Sequence, residues 1–340
     1  MYTAEYKGIN SFLVGASKLL LEQGVKRETR GKVCFELPEP FMFKITNPKA
    51  RWITITERKW NVALAYAESL WIACGRNDLQ MINRYLASMK DFSDDGISLR
   101  GGYGPRIRKY NGSNNDYLIN KSFKKSPISP INEIDQLQFV IECLKQDINT
   151  RQAIITIGDP NKDCFEKTDE LKQTKDFPCT RTLHFMKHPT ENKLNLTVHM
   201  RSNDLLWGAS AVNIFNFTFM QEYISHMVNL QVGEYFHIAN NFHFYEDKKH
   251  IIESISKVNN YTDESYKYKF SFKTLEEFDL KLKDLENIEY DICNSNHKMI
   301  NFDDDFFNDW YKVIYHWNTK KNVDFSNPIL NEIIKCNNYE

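Results

Sequence analysis

No Cys-x-x-Cys pair occurs in this 340-residue chain, and its seven cysteines lie scattered at positions 34, 74, 143, 164, 179, 293 and 336. An odd number at such spacing gives neither a disulfide framework nor a zinc knuckle. No apolar run is long enough to span a bilayer, and the start, Met1-Tyr2-Thr3-Ala4-Glu5, lacks a signal-peptide pattern. The expectation is a reducing, cytoplasmic setting with no membrane partner. Formal net charge is −1, so no global basic field favours nucleic acid. Cationic clusters such as Lys26-Arg27 with Arg30 suit a small anion better than a duplex. Internal repeats and low-complexity tracts are missing too. What the chain does have is 41% hydrophobic and 14% aromatic residues, ample for a substantial core.

Periodicity supplies the elements. Residues 10–24 space their apolar side chains helically (Phe12, Leu13, Ala16, Leu19, Leu20), with Gly24 as a stop. Residues 25–31 read as a cationic loop and Arg51 to Thr56 as a strand. Asn61 to Ala73 reads as a buried helix in which Glu68 is the oddity, because a buried carboxylate must be paired or its pKa rises. Residues 101–105 form a turn-rich loop, and residues 112–130 a polar connection. Asn132 to Lys145 reads as an amphipathic helix, Ala153 to Ile157 as a short strand, and residues 160–176 as a charged excursion. Thr182 to Met186 and Leu194 to Met200 read as paired strands, and residues 212–230 as a long apolar helix. Tyr266, Tyr268, Phe270 and Phe272 alternate with polar residues as in a strand. Leu275–Leu285 and Asp305–Trp317 are amphipathic. Strands and helices interleave without a βαβ repeat, which predicts an α+β fold with helices packed on one large mixed sheet.

Four groups can carry chemistry. Cys179 lies in Phe177-Pro178-Cys179-Thr180-Arg181. A free cysteine is usually a small buried hydrophobe, but Arg181 and Arg201 nearby would favour its thiolate, the form that attacks carbon. A cysteine protease with His243 as base lacks the local sequence such nucleophiles show. A zinc deaminase needs a second cysteine where Thr182 stands. His243 and Tyr245 are two apart and face the same way in a strand, as core filler or as a pair of hydrogen-bonding tips for a sugar. Arg201-Ser202 is either an ordinary surface pair or a grip on phosphate. Asn213, heading an apolar helix, is either a cap or an amide that reads a ring edge, complementing N3–H and O4 of uracil.

Taken together, these residues resemble the active-site series of the thymidylate synthase and pyrimidine-nucleotide hydroxymethylase family. The resemblance rests on Pro178-Cys179, on Arg201-Ser202-x-Asp204 with Gly208 and Asn213, and on His243-x-Tyr245. Upstream, Glu68-Ser69-Leu70-Trp71 is similar to the family's Glu-Leu-Leu-Trp helix. Tyr103-Gly104-Pro105-Arg106-Ile107-Arg108 is similar to its Tyr-Gly-x-x-x-Arg loop. Thr150-Arg151 is similar to its partner-subunit phosphate arginine, and Arg30, or failing it Arg27, to its phosphate loop. The similarity runs through residues 10–255, weakens through Ile288-Glu289-Tyr290-Asp291 and is lost beyond.

The resemblance implies a single thymidylate synthase-like domain over residues 1–340. It implies a homodimer formed through a sheet face, with Arg151 reaching the neighbour's nucleotide phosphate. It implies 5,10-methylenetetrahydrofolate as one-carbon donor and a pyrimidine nucleotide monophosphate as substrate. Cys179, Glu68, Tyr103, Arg201 and Asn213 would be catalytic. Arg30, Arg151, Arg201, Ser202, Asn213, His243 and Tyr245 would bind nucleotide, and Asp204, Trp71 and Gly208 folate; no metal is implied. Cys179 would add to C6 and make C5 nucleophilic.

The departures bear on the product. Residues 88–95 lack the family's tryptophan, Thr180 replaces the synthases' histidine and Met200 their glutamine. Gln152 replaces a second arginine, and one extra residue separates Gly208 from Asn213. Residues 295–340 replace the short apolar tail that seals the pocket. A pocket sealed less well admits water, so dUMP hydroxymethylation is favoured over reductive methylation to dTMP. Hydroxymethylation of dCMP or CMP comes after both, since asparagine at 213 matches uracil. The remaining alternative is a silent nucleotide- or RNA-binding relative, although binding needs no thiol.

Overall fold

The computed structural model describes residues 1–29, 31–119, 121, 133–294 and 300–336. The chain opens with β1 (Tyr2–Tyr6), α1 (Ile9–Gln23), β2 (Val25–Thr29), β3 (Lys32–Glu36) and β4 (Phe41–Ile45). Then come α2 (Val62–Ala73), α3 (Leu79–Ile82), α4 (Tyr103–Arg108), α5 (Gln136–Gln146), β5 (Ile154–Thr156) and α6 (Pro160–Asp163). The middle holds β6 (Thr180–Lys187), β7 (Lys193–Met200), β8 (Asn203–Asp204), a π-helical segment (Leu205–Asn213) and α7 (Ile214–Met227). It ends with β9 (Gln231–Ala239), β10 (Phe242–Tyr245), α8 (Lys249–Ser256), α9 (Leu275–Cys293), α10 (Asp305–Thr319) and α11 (Pro328–Cys336). Among the described residues, no helix is long and apolar enough to cross a membrane.

Six strands form a mixed sheet in the order β1-β4-β9-β7-β6-β5, and four more form a second sheet, β2-β3-β10-β8. The fold is therefore α+β as expected, with two sheets where the sequence indicated one. Period-two alternation decides which face is buried. Leu194, Leu196, Val198 and Met200 of β7 and Tyr235, His237 and Ala239 of β9 point into the core, where α7 packs on both strands. The opposite face, with Asn195, Thr197, His199, Phe236 and Ile238, stays half-buried in the single chain. β7 and β9 run parallel, with Met200 opposite Ala239, while Thr180 of antiparallel β6 also lies opposite Met200. One end of the large sheet thus gathers Cys179, Arg201 and the start of β10.

Helix α2 is apolar all round and buried, as a helix inside a protein should be. Its N-cap Asn61 accepts from the Leu64 N–H at 3.0 Å. Beyond the region of resemblance the chain does not trail off. Phe306, Phe307 and Trp310 of α10 are fully buried, and the Trp310 indole donates to the Tyr66 carbonyl of α2 at 2.8 Å. Arg108 of α4 grips Asp279 of α9 through both nitrogens, at 3.1 and 2.7 Å. Arg76 bridges Asp78 and Glu286. Trp310→Ala should therefore destabilise the protein by about 3–5 kcal/mol, read as a lower urea midpoint at unchanged slope.

Several sequence expectations fail for physical reasons. Residues 25–29 are not loop but β2, hairpinned to β3, with Arg27 paired to Glu36 at 2.7 Å. Residues 51–55 form no strand. Their polar groups are satisfied by Asn10, whose amide donates to the Trp52 carbonyl and Thr54 hydroxyl and accepts from the Thr54 N–H, and Arg51 is buried against Glu222. Residues 266–272 keep their alternation, with Tyr268 and Phe272 buried, yet pair with no strand. Their rings instead pack edge-on against Phe306. The loop at 101–105 winds into α4 from Tyr103. Arg30 and most of the connection at 112–130 lie outside the described residues.

Candidate active site

Cys179 stands just before β6, half-buried, and its backbone is held by Arg201. The Arg201 N–H donates to the Cys179 carbonyl at 2.9 Å. The Arg201 guanidinium donates from Nε to the Pro178 carbonyl at 3.0 Å and from Nη2 to the Phe177 carbonyl at 2.7 Å. Its plane also lies 4.9 Å from the Phe177 ring. This arginine therefore fixes the segment that presents the thiol. Its Nη1 makes no hydrogen bond among the described residues and remains available to an anion.

Tyr103 approaches from α4. Its hydroxyl accepts from the Thr180 N–H at 3.2 Å and from the Thr180 hydroxyl at 3.0 Å, one residue from the cysteine. Gly104 allows that approach: a Cβ there would lie 2.3 Å from the Arg76 carbonyl oxygen. Burial, then the Cys179 sulfur, then the Glu68 carboxyl push the Tyr103 hydroxyl up, against the Thr180 hydrogen bonds. Glu68 itself, on α2, is pushed up to about 8 by burial alone. Near neutrality it is a neutral carboxylic acid able to donate.

The second sheet brings a further group of polar side chains to the same end. His243 and Tyr245 share one face of β10, rings edge-to-face at 5.3 Å. His243 Nδ1 is buried without a hydrogen bond among the described residues, and burial holds the ring at about 4, against the pull of Glu36. The Ser202 hydroxyl donates to Asn241 at 3.1 Å, whose amide donates to Glu36 at 2.6 Å. Burial opposes the Glu36 charge, but hydrogen bonds from Arg27 and Asn241 hold its carboxyl below the usual range. Arg27 is thereby occupied.

Asp204 accepts from the Trp207 N–H as the N-cap of the π-helical segment, and burial pushes its carboxyl up to about 6. Within that segment the Ile214 N–H reaches back five residues to the Ala209 carbonyl. This wider winding absorbs the extra residue between Gly208 and Asn213. Asn213 makes no cap hydrogen bond. Its amide nitrogen faces Asn203 Oδ1 at 3.4 Å and Met200 Sδ at 3.8 Å, which places it beside β6 and Cys179.

Three expected residues sit differently. Trp71 is 2% exposed, its indole donating to the Asp78 carbonyl and its ring lying under Gly102, so it is a wall beneath the loop and not a surface for folate. Gly208 is needed for close packing, since a Cβ there would meet Asn203 Oδ1 at 2.3 Å. Arg151 is exposed at the far end of β5, where its carbonyl accepts from His184. His184 is five residues along β6 from Cys179, roughly 17 Å, so Arg151 is no part of its own chain's cluster. Sequence reading gave no part to Trp207 and Phe92, an aromatic pair 5.4 Å apart that are 42% and 38% exposed beside Asp204. The signal was Trp207 itself, inside the motif and out of place on a surface.

Comparison with known proteins gives the family. The thymidylate synthase family model matches residues 15–301. The chain is 33% identical over 260 residues to the deoxyuridylate hydroxymethyltransferase of Bacillus phage SP01, covering 76% of this chain and 63% of that protein. For the deoxyuridylate hydroxymethyltransferase of Pseudomonas phage M6 the identity is 30% over 247 residues, 73% of this chain and 62% of the relative. The thymidylate synthase of Fusobacterium nucleatum is 31% identical over 156 residues, 46% of this chain and 51% of its own. The chain thus spans less than two thirds of the length of the phage relatives. With most of its length matched and the motif side chains gathered at one sheet end, the chain belongs to the thymidylate synthase family.

Proposed function

We propose that the protein transfers a one-carbon unit to C5 of dUMP and releases 5-hydroxymethyl-dUMP. One observation carries this reading: Arg201 holds the Cys179 backbone while the Tyr103 hydroxyl sits on Thr180 one residue away, within electrostatic reach of both the Cys179 sulfur and the Glu68 carboxyl. The names of the two phage relatives support water over hydride as the terminator. Reductive methylation to dTMP is the second reading, supported by the name of the Fusobacterium relative.

In the proposed mechanism, Cys179 thiolate forms a bond to C6 of the pyrimidine, and charge moves to O4. Asn213 and Glu68 donate to that oxygen as the charge grows. The Tyr103 hydroxyl, tied to Thr180, would assist loss of the C5 proton. Arg201 Nη1 holds the phosphate, and the Ser202 hydroxyl joins it by turning its proton from Asn241, while His243 Nδ1 and Tyr245 meet the sugar hydroxyl. The exposed Trp207–Phe92 pair beside Asp204 fits the pterin of 5,10-methylenetetrahydrofolate, a flat ring that stacks on aromatics and donates to a carboxylate. When bound, that group supplies carbon at the formaldehyde oxidation level.

The half-buried face of the large sheet supports a homodimer, with Arg151 serving the neighbour's phosphate. Arg151→Ala and Cys179→Ala proteins should each be inactive alone. Mixed and allowed to exchange subunits, they should regain up to roughly a quarter of wild-type activity, because random pairing makes half the dimers mixed, each with one intact site. No recovery would rule out the shared site. Helix α10 would then act as a helical layer against α2 in place of the family's tail, within one domain. The product is settled by mass spectrometry after incubation with methylenetetrahydrofolate and dUMP, dCMP, UMP or CMP in turn. A hydroxymethyl product with tetrahydrofolate recovered is expected; dihydrofolate would mean dTMP synthesis instead.

A further inference from the structure

Behind Asn213 runs a buried polar chain that the proposed chemistry does not use. Asn203 Oδ1 faces the Asn213 amide nitrogen at 3.4 Å, and Asn203 Nδ2 donates to His237 Nε2 at 3.0 Å. His237 Nδ1 lies 2.8 Å from the Tyr235 hydroxyl. Asn203 is 2% exposed, His237 and Tyr235 are fully buried, and Phe43 stacks on the imidazole at 4.7 Å. Its parts come from different elements: β8 gives Asn203, alternate positions on the core face of β9 give Tyr235 and His237, and the end of the π-helical segment gives Asn213. Gly208 is the seat that lets Asn203 and Asn213 meet.

We propose that Asn203, His237 and Tyr235 are positioning residues that fix which way round the Asn213 amide faces, and so select uracil over cytosine. The inference rests on the reading of Asn213 as the ring-reading residue. Uracil presents N3–H beside the O4 acceptor; cytosine presents the reverse, an N3 lone pair beside an N4 amino donor. An asparagine amide free to turn fits either edge, whereas a fixed one fits a single edge.

The chain has two fully paired orders of donors and acceptors, one the complete reversal of the other, and the position of the His237 proton selects between them. Burial, with His199 pushing the same way, holds His237 at about 3, so its ring is neutral, with one donor and one acceptor. Nε2 accepts from Asn203, so Nδ1–H donates to the Tyr235 oxygen, and Asn203 Oδ1 accepts from Asn213. Turning Asn213 over would set two amide oxygens against each other. Turning Asn203 as well would set its oxygen against the Nε2 lone pair, unless the imidazole proton moved to the other nitrogen. With the proton on Nδ1, every reversal of Asn213 strands a buried polar group, a preference of roughly ten- to a hundredfold, so the tautomer of His237 sets the way Asn213 faces.

The test uses the intact protein with dUMP and dCMP. In wild type the kcat/KM ratio should favour dUMP. Asn203→Ala and His237→Phe should cut that ratio about ten- to a hundredfold, with thermal midpoints followed in parallel. His237→Gln, whose amide oxygen again accepts from Asn203, should restore it to within about threefold, a rescue that mere core filling does not predict. Should those variants fail to fold, Tyr235→Phe keeps the ring and removes only the acceptor of the Nδ1 proton. It should lower the ratio and shift the tautomer. Nitrogen-15 NMR of the nucleotide-free protein reads the chain directly, with His237 expected neutral and protonated on Nδ1. An unchanged ratio in folded Asn203→Ala or Tyr235→Phe, or a wild-type proton on Nε2, overturns the proposal. A wild-type protein that does not prefer dUMP overturns the substrate reading instead, while the tautomer still decides the chain.

Discussion

Replacing Cys179 by alanine is expected to abolish turnover, lowering kcat by a factor on the order of 10⁴ or more, with the fold intact. The size follows from the role. In the proposed mechanism Cys179 is the group that forms the bond to C6, and without that bond C5 of a pyrimidine is not a nucleophile. The fold should survive because Cys179 is half-buried and the surrounding segment is held through its backbone by Arg201, which the substitution leaves in place. Its thermal midpoint should stay within a few degrees of wild type. Wild-type protein quenched during turnover should carry the mass of the nucleotide on a peptide containing Cys179, and the alanine variant none. Retained turnover in Cys179→Ala would remove the central step, and the silent-relative reading would gain if that variant still bound dUMP unchanged. Arg201→Ala should be worse than a lost phosphate contact, since it releases the Phe177 and Pro178 carbonyls along with Nη1.

Sequence reading succeeded where local pattern decides structure. Helices α1 and α2, the β6–β7 pair and the shared face of His243 and Tyr245 follow from spacing, because burial selects period 3.6 or 2 residue by residue. It failed where a partner decides. The segment Val25–Thr29 is exposed throughout and is a strand only because β3 lies beside it. Residues 266–272 alternate as a strand does, yet find aromatic rings and not a ladder. Most of the side chains proposed to face the nucleotide stand out in the sequence as motif, since motif residues lie close in sequence. Asn203, His237 and Tyr235 were not, because only the pairing of β8 with β10 and of β7 with β9 brings them together. The sequence shows one extra residue between Gly208 and Asn213. In the fold that stretch is π-helical, a winding that takes one residue more per turn than an α-helix and that spacing alone does not reveal.

Glu68 makes the sharpest physical test, because its stability and its chemistry pull in opposite directions. Burial raises its carboxyl to about 8 in the folded protein, while in the unfolded chain it returns to about 4.3. The folded state therefore binds the extra proton, and its advantage is complete below the unfolded value. As pH rises from about 4.5 to 8 the unfolded state gives that proton up first, and stability falls. Glu68→Gln carries no such proton. Relative to wild type it should be near-equal at pH 4.5 and grow more stable with rising pH, by about 2–4 kcal/mol at pH 8, measured by urea denaturation across the range. The same substitution should lower kcat by about 10²–10³, since an amide donates less strongly to a developing charge at O4. Wild-type activity should also decline above about pH 8 as Glu68 ionises, a limb the glutamine variant should lack. A glutamine variant that is no more stable at pH 8 would mean the carboxylate is already paired and charged in the folded protein, and donation to O4 would need another residue. A variant both more stable and much slower would instead identify α2 as a helix that holds an unpaired acid at a cost to folding, because the chemistry beside Cys179 requires a neutral donor there.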